Sequence, residues 1–499
     1  MTNLGWLDIL VLVAYFATAV AVGLLVSGRS KSVEAFLLGD RNLPWWAILG
    51  SIVATETSGV TVLSVPGHGY GQVAFKFLQI ALGYVIGRAI IVYVLFPLYF
   101  RGQLLTAYEV LNQRFGGLTR QAASLLFLIA RNLGDGLRLY LVAIVLQKLA
   151  GIPLWLSVVV MGVISTVYTF VGGMRSVIWN DCIQVGVYVL GGIVAVFVIA
   201  GQISGGFSEI ARFAAETDKW QVLDVRWSLT EPYTFWASLI GGAVLTIGTH
   251  GTDHSMVQRY LSARSQRDAG WALLVSGLVV FVQFGLFLFI GIELACFFGQ
   301  HPLPAGVKLK PDEVFAHFIV NHYPRNTGLI GLMLAAILAS NLSSSLSASA
   351  AAVVNDFYLP WHKTPPESGY VLALTRGLTA VFGLLQIGLG ILAQRVSTSG
   401  NTVVDSALAI ASFVFGLLLG VFALGALTRR ASQAGALAGA GFALALLLFL
   451  QFGLPALTAT DKLPTGIKIA FPWLSVIGSG TTFMVGYVTS LIAPQGTKA

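Results

Sequence analysis

Charge is scarce in this chain: Asp, Glu, Lys and Arg together make 10% of its 499 residues, against 56% apolar residues, and the mean hydropathy is +0.82. A soluble helical enzyme needs polar faces on its helices, and the sequence has too little polar material to supply them. Apolar runs of about 18 residues or more recur along the whole length, as helices that cross a bilayer require. Open sheets are excluded, because lipid offers their edge groups no partner. Cysteine is almost missing: Cys182 and Cys296 both fall inside apolar runs and are too few for a disulfide framework. No basic residue precedes the first run, which carries Asp8, so that run lacks the start of a cleaved signal peptide and is read as a retained helix. There is also no long polar linker and no low-complexity tail. The expectation is a single all-α, polytopic membrane domain over residues 1–499.

Apolar runs between polar breaks predict about thirteen spans, near 4–27, 44–65, 75–100, 122–149, 153–171, 179–203, 235–256, 270–298, 327–356, 370–394, 403–428, 434–452 and 472–492. One set of loops is richer in basic residues (Arg29, Lys31, Arg41; Arg101, Arg114, Arg120; Arg259, Arg264, Arg267; Arg429, Arg430), which predicts an outside amino terminus and a cytoplasmic carboxyl terminus in the cell membrane. That bias accounts for the net charge of +8 without any nucleic-acid partner. No obligate protein partner is evident either.

Two spans are written differently from the rest. Gly50–Gly71 (GSIVATETSGVTVLSVPGHGYG) and Gly241–Arg259 (GGAVLTIGTHGTDHSMVQR) place glycines and polar residues at mid-membrane. Both read as broken helices, and they hold corresponding positions in two consecutive five-helix units, 44–203 and 235–428, with one extra helix at 4–27 and two more at 434–492. Such a pair points to an inverted-repeat transporter with its binding site between the breaks; the plain alternative is close glycine packing. A third unusual segment, Ser340–Tyr358, carries Ser340, Ser343, Ser344 and Ser347 at i, i+3, i+4, i+7, which aligns their hydroxyls on one helix face. The stripe either lines a cation site or bonds back to its own helix while allowing close packing.

The segments Phe36–Ser58, Trp179–Gly192 (WNDCIQVGVYVLGG), Gly251–Ala263 (GTDHSMVQRYLSA) and the serine-rich run ending Asn355–Tyr358 (NDFY) resemble the sodium:solute symporter family, with its leucine-transporter type fold of five plus five helices. The resemblance covers nearly the whole chain. It implies a secondary transporter that couples sodium entry to solute uptake by alternating access, with sodium as the bound ion, a small-molecule substrate and the bilayer as solvent. It also implies a main sodium site of carbonyls and hydroxyls at Ala54, Thr57, Ile337, Ser340 and Asn341, where Asn341 departs from the hydroxyl usual in the family. Some members add a second site, matched here by Asp181, Ser343 and Ser344; the alternative for Asp181 is a pair with Arg175 or a helix cap. Glu56, Ser58, Val60 and Thr61, with Thr246, Thr249 and His250, match substrate-contacting or gating positions, and Asp405 lies near another. Sugar carriers of the family place amide and acid groups at the positions of Val60 and Thr61, so a small organic anion or amino acid is favoured over a hexose.

Arg131, Asp135 and Arg138 share a helix face at i, i+4, i+7. They read as a neutralising ladder, or Arg138 clamps a substrate carboxylate. Glu56 has three readings: cation ligand, proton acceptor or partner of Arg138. Arg88 is read as structural, and Glu293 as a further acid in a span. The H-x-x-D-H run His250, Asp253, His254 approaches zinc spacing, but the glycine-interrupted segment and the missing third ligand argue against an enzyme. A sensor or channel on the same fold is the other rival.

Overall fold

The computed structural model describes residues 4–27, 33–101, 104–303, 309–338, 343–362, 369–396, 403–459 and 466–492. Lipid cannot hydrogen-bond a backbone, so the apolar runs close their amides within helices. In order these are α1 (Trp6–Ser27), α2 (Trp45–Glu56), α3 (Gly59–Tyr70), α4 (Leu78–Ile90), α5 (Gly117–Ala150), α6 (Leu154–Ala200), α7 (Gly242–Gly251), α8 (His254–Leu261), α9 (Gln266–Gln300), α10 (Pro311–His322), α11 (Leu329–Leu338), α12 (Ser343–Ala352), α13 (Gly369–Val396), α14 (Val403–Leu427), α15 (Gln433–Leu448) and α16 (Phe471–Ile492). Among the described residues the only β-type pairing is an isolated bridge between Leu43 and Ala263. Leu43 N–H donates to Ser262 O at 3.1 Å and Arg264 N–H to Leu43 O at 3.2 Å, so the chain entering α2 is tied to the chain leaving α8.

Among the described residues, eight helices are long and apolar enough to cross a membrane alone, or nine if the bent pair α2–α3 counts as one span. This is fewer than the thirteen runs because some spans are built from short helices, and because α5, though 34 residues long, carries Arg131, Asp135 and Arg138 in its middle. The expected fifth and sixth spans both fall within α6, 47 residues without an intervening loop. The expected ninth span is carried by α11 and α12, and residues 339–342 between them, with Ser340 and Asn341, lie outside the described residues.

Small residues let the central helices touch. α3 packs on α9, α7 on α4, α5 on α13, and α11 on α1 and α6. At the α3–α9 crossing a methyl group on Gly291 would lie 2.7 Å from Gly69 Cα, so only glycine permits that approach. Large apolar side chains such as Leu25, Phe197, Leu278 and Met484 remain exposed on the outside, where lipid replaces the core as their apolar partner.

Candidate functional site

Both expected breaks form. α2 ends at Glu56, Thr57 and Ser58 are extended, and α3 resumes at Gly59, with a bend of 60° between the two halves. Thr57 N–H still donates to Val53 O at 2.8 Å, and Ser58 O receives Val62 N–H at 3.2 Å. The turn takes the chain away from the carbonyls of the last turn of α2, which lose their i+4 amides. Ala54, Thr57 and Ile337 are all buried. The Thr57 hydroxyl donates to Gln283 Oε1 on α9 at 2.7 Å, which ties the first break to α9. The second break sits at Thr252 and Asp253, and Asp253 starts α8 by accepting from Ser255 N–H at 2.7 Å. The seventh span therefore continues to Leu261, and Arg259, placed in a loop by its charge, is a fully buried helical residue.

A cavity of about 140 Å³ lies between the breaks. Glu56, Ser58, Thr61, Arg138, Thr249 and His250 line it, together with Thr55, Arg131, Asp253, Met256, Phe77, Tyr84, Phe284 and Phe415. The aromatic walls were missed because Phe77, Tyr84 and Phe284 sit in apolar spans that carry no polar mark. Thr246 stands behind the wall, 3.2 Å from His250 Nδ1. Asp405 is elsewhere: it accepts from the Tyr233 hydroxyl and lies 3.4 Å from His68 Nε2. The side chain of Val60 is outside the described residues.

Charge in this cavity is paired across helices. Glu56 pairs with Arg88 on α4 and faces His250 Nε2 at 3.5 Å, so its partner is Arg88 and not Arg138. Arg88, fully buried, also donates to Ser276 Oγ at 2.7 Å. On α5 the ladder forms as expected: Arg131 lies 3.1 Å and Arg138 3.3 Å from opposite oxygens of Asp135. Arg131 extends the ladder to Asp253 at 3.4 Å, linking α5 to the second break. Even so, Arg131 Nη2 is buried without a hydrogen-bond partner. A carboxylate is the complement of such a donor surplus.

Asp181 is fully buried and lies inside α6, away from either end of that helix. Its Oδ2 accepts from Ser51 Oγ at 2.5 Å and meets Arg259 Nη2 at 3.2 Å. Ser343 and Ser344 open α12, but their side chains lie outside the described residues. No group of three His, Cys, Asp or Glu side chains arranged to hold a metal occurs among the described residues. The H-x-x-D-H run is split by the break, with His250 in the last turn of α7 and His254 beginning α8.

The model of the sodium:solute symporter family matches residues 36–442. The human sodium/iodide cotransporter is 29% identical over 439 residues, 86% of this chain and 66% of its own length, so the chain spans just under two thirds of that relative. Human sodium-coupled monocarboxylate transporter 1 is 30% identical over 448 residues, 88% of this chain and 72% of its own. A solved structure of a Na⁺-coupled sialic acid symporter, in a substrate-bound outward-open state, superposes with a TM-score of 0.85 at 26% identity, covering 98% of both chains. Mhp1, a nucleobase-cation-symport-1 family transporter in a closed conformation, gives a TM-score of 0.56 at 14% identity and shares the fold.

Proposed function

The chain belongs to the sodium:solute symporter family, a family of transporters and not of enzymes, and from that premise we propose that it couples sodium entry to uptake of a small organic anion bound between the two helix breaks. The observation that carries the reading is the donor-rich cavity of about 140 Å³, with Arg131 and Arg138 on its wall. Cavities near 150 Å³ hold a benzene-sized guest, so this space suits roughly six to eight non-hydrogen atoms, smaller than a hexose with its shell of hydroxyls. Glu56 is already neutralised by Arg88, and Arg131 Nη2 awaits an acceptor. A monocarboxylate, as in the name of one relative, meets both size and charge.

For sodium, the proposed shell is the carbonyls of Ala54, Thr57 and Ile337 with the side chains of Ser340 and Asn341. Neutral oxygens bind a monovalent cation weakly enough to release it. Asp181 is assigned instead to the Arg259 pair, because a further cation there meets an acid already neutralised by a buried guanidinium; the proposed coupling is one sodium ion. A membrane potential of 100 mV supplies about 2.3 kcal/mol per charge, and a tenfold gradient about 1.4 kcal/mol. The test is uptake into proteoliposomes of acetate, pyruvate, lactate, alanine and glucose with and without a sodium gradient. Sodium-driven uptake of a small carboxylate supports the proposal, and glucose uptake alone rejects it.

A further inference from the structure

A second cavity, of about 270 Å³, opens between α1 and α6 on the lipid-facing side, walled by Tyr15, Phe16, Met161, Ile164 and Leu338. It lies apart from the solute cavity and shares no lining residue with it. Its rim residues Val163 and Val167 are 46% and 58% exposed, so the mouth faces hydrocarbon. One of its few polar elements is Asn180, whose Oδ1 is buried with no hydrogen-bond partner. Ser176 stands one helical turn earlier on the same face, and its Oγ is likewise buried and unpartnered. Exposure is 7% for Asn180 and 1% for Ser176. Both come up to Gly23 of α1, where an added Cβ would lie 2.8 Å from Ser176 Oγ and 3.5 Å from Asn180 Nδ2.

We propose that this cavity binds a membrane-dissolved amphiphile ending in a single hydroxyl, its apolar body against α1 and α6 and its hydroxyl at Asn180. A hydroxyl donates one hydrogen bond and accepts others, so it pairs the Asn180 oxygen. A plain hydrocarbon leaves that atom unpaired. A carboxylate is unsuited, because Asp181, the next residue, is committed with Arg259 inside the bundle and no basic residue lines the cavity among the described residues. Water fits the polar end alone and leaves the apolar volume empty. Against the benzene-sized guest of a 150 Å³ cavity, the space takes a body of roughly ten non-hydrogen atoms, and the bilayer is its source.

The test uses the purified full chain in nanodiscs with an octanol carrying a diazirine and the matching diazirine-bearing octane. After irradiation, mass spectrometry is expected to find octanol adducts on Tyr15–Val20 and Met161–Val167, saturable and displaced by unlabelled octanol. Asn180→Leu is expected to raise the displacing octanol concentration about fivefold to tenfold, the effect of one lost hydrogen bond, with octane labelling unchanged. Val163→Trp fills the mouth from a lipid-facing position and is expected to abolish labelling in a monodisperse protein. Equal labelling by octane and octanol, indifference to Asn180→Leu, or labelling that does not saturate means an adventitious additive only and overturns the proposal, as does the absence of adducts in the cavity.

Discussion

Arg259 Nη2 lies 3.2 Å from Asp181 Oδ2, and Ser51 Oγ is held between them, donating to Asp181 and accepting from Arg259 Nε at 2.8 Å. Three helices meet in this contact: α2 below the first break, α8 beyond the second, and α6. Acid and guanidinium are both fully buried. Each charge would carry a desolvation cost of several kcal/mol alone, and each is tolerable only because the other is present. The pair therefore fixes how the two broken helices sit against α6.

Breaking that pair by one side should destabilise more than removing both. Asp181→Asn leaves Arg259 buried without its countercharge, a change that typically costs about 3–5 kcal/mol. The double variant Asp181→Asn with Arg259→Met is expected to recover most of the loss in thermal unfolding. With one sodium per cycle, the Hill coefficient for sodium stays near one in the wild type and in the double variant. A wild-type value near two that falls toward one on losing Asp181 would return the acid to a second sodium site with Ser343 and Ser344.

Much of this architecture can be read in the sequence because lipid makes polar residues conspicuous. Glu56, Thr57 and Ser58 in one apolar run, and Thr252 and Asp253 in another, announce the breaks, since nothing but a cavity or an interior partner repays such groups at mid-membrane. The ladder Arg131, Asp135, Arg138 is equally visible, because its spacing is helical and local. Pairings across the bundle are not. Arg259 follows a polar run and reads as a loop residue, while its partner Asp181 lies 78 positions away; Glu56 and Arg88 are 32 apart. Such pairs depend on helix packing, which no local spacing records. The aromatic walls Phe77, Tyr84 and Phe284 are hidden for the opposite reason, as apolar residues among apolar residues.

Glu56→Gln should cost transport more than it costs sodium-induced stabilisation, because the carboxylate borders the solute cavity. Among the described residues it also leaves Arg88 with Ser276 alone as a hydrogen-bond partner, so a loss of stability without sodium is expected as well. Glu56→Gln combined with Arg88→Gln restores that stability while transport stays low. Thermal unfolding with and without sodium, run beside uptake, separates the two effects; proportional loss of both sodium stabilisation and uptake would make Glu56 an ion ligand.

Arg138, whose side chain is 22% exposed and held only 3.3 Å from Asp135, is the guanidinium best placed to turn toward a solute. Arg138→Lys keeps the charge but loses the planar fork. A tenfold or larger rise in KM for a carboxylate solute is expected, with sodium activation altered less than twofold. An unchanged KM would confine Arg138 to the ladder.

The sodium assignment rests on oxygens from both sides of a junction, so the sharpest variant removes one oxygen and nothing else. Ser340→Ala deletes a hydroxyl but no charge and little volume. Loss of one ligand from a shell of about five weakens the remaining coordination, and alanine brings no backbone strain of its own. The expected result is a rise of about tenfold or more in the sodium concentration giving half-maximal uptake, equivalent to about 1.4 kcal/mol, at unchanged unfolding temperature in sodium-free buffer. Thr57→Val supplies the contrast: it keeps the carbonyl proposed as ligand and removes only the hydroxyl bonded to Gln283. Its penalty should appear in sodium-free stability, about 1–3 kcal/mol for an unpaired buried amide oxygen, and much less in sodium activation. If the two variants exchange these behaviours, the ion sits on the Thr57 side chain and not in the shell completed by Ser340.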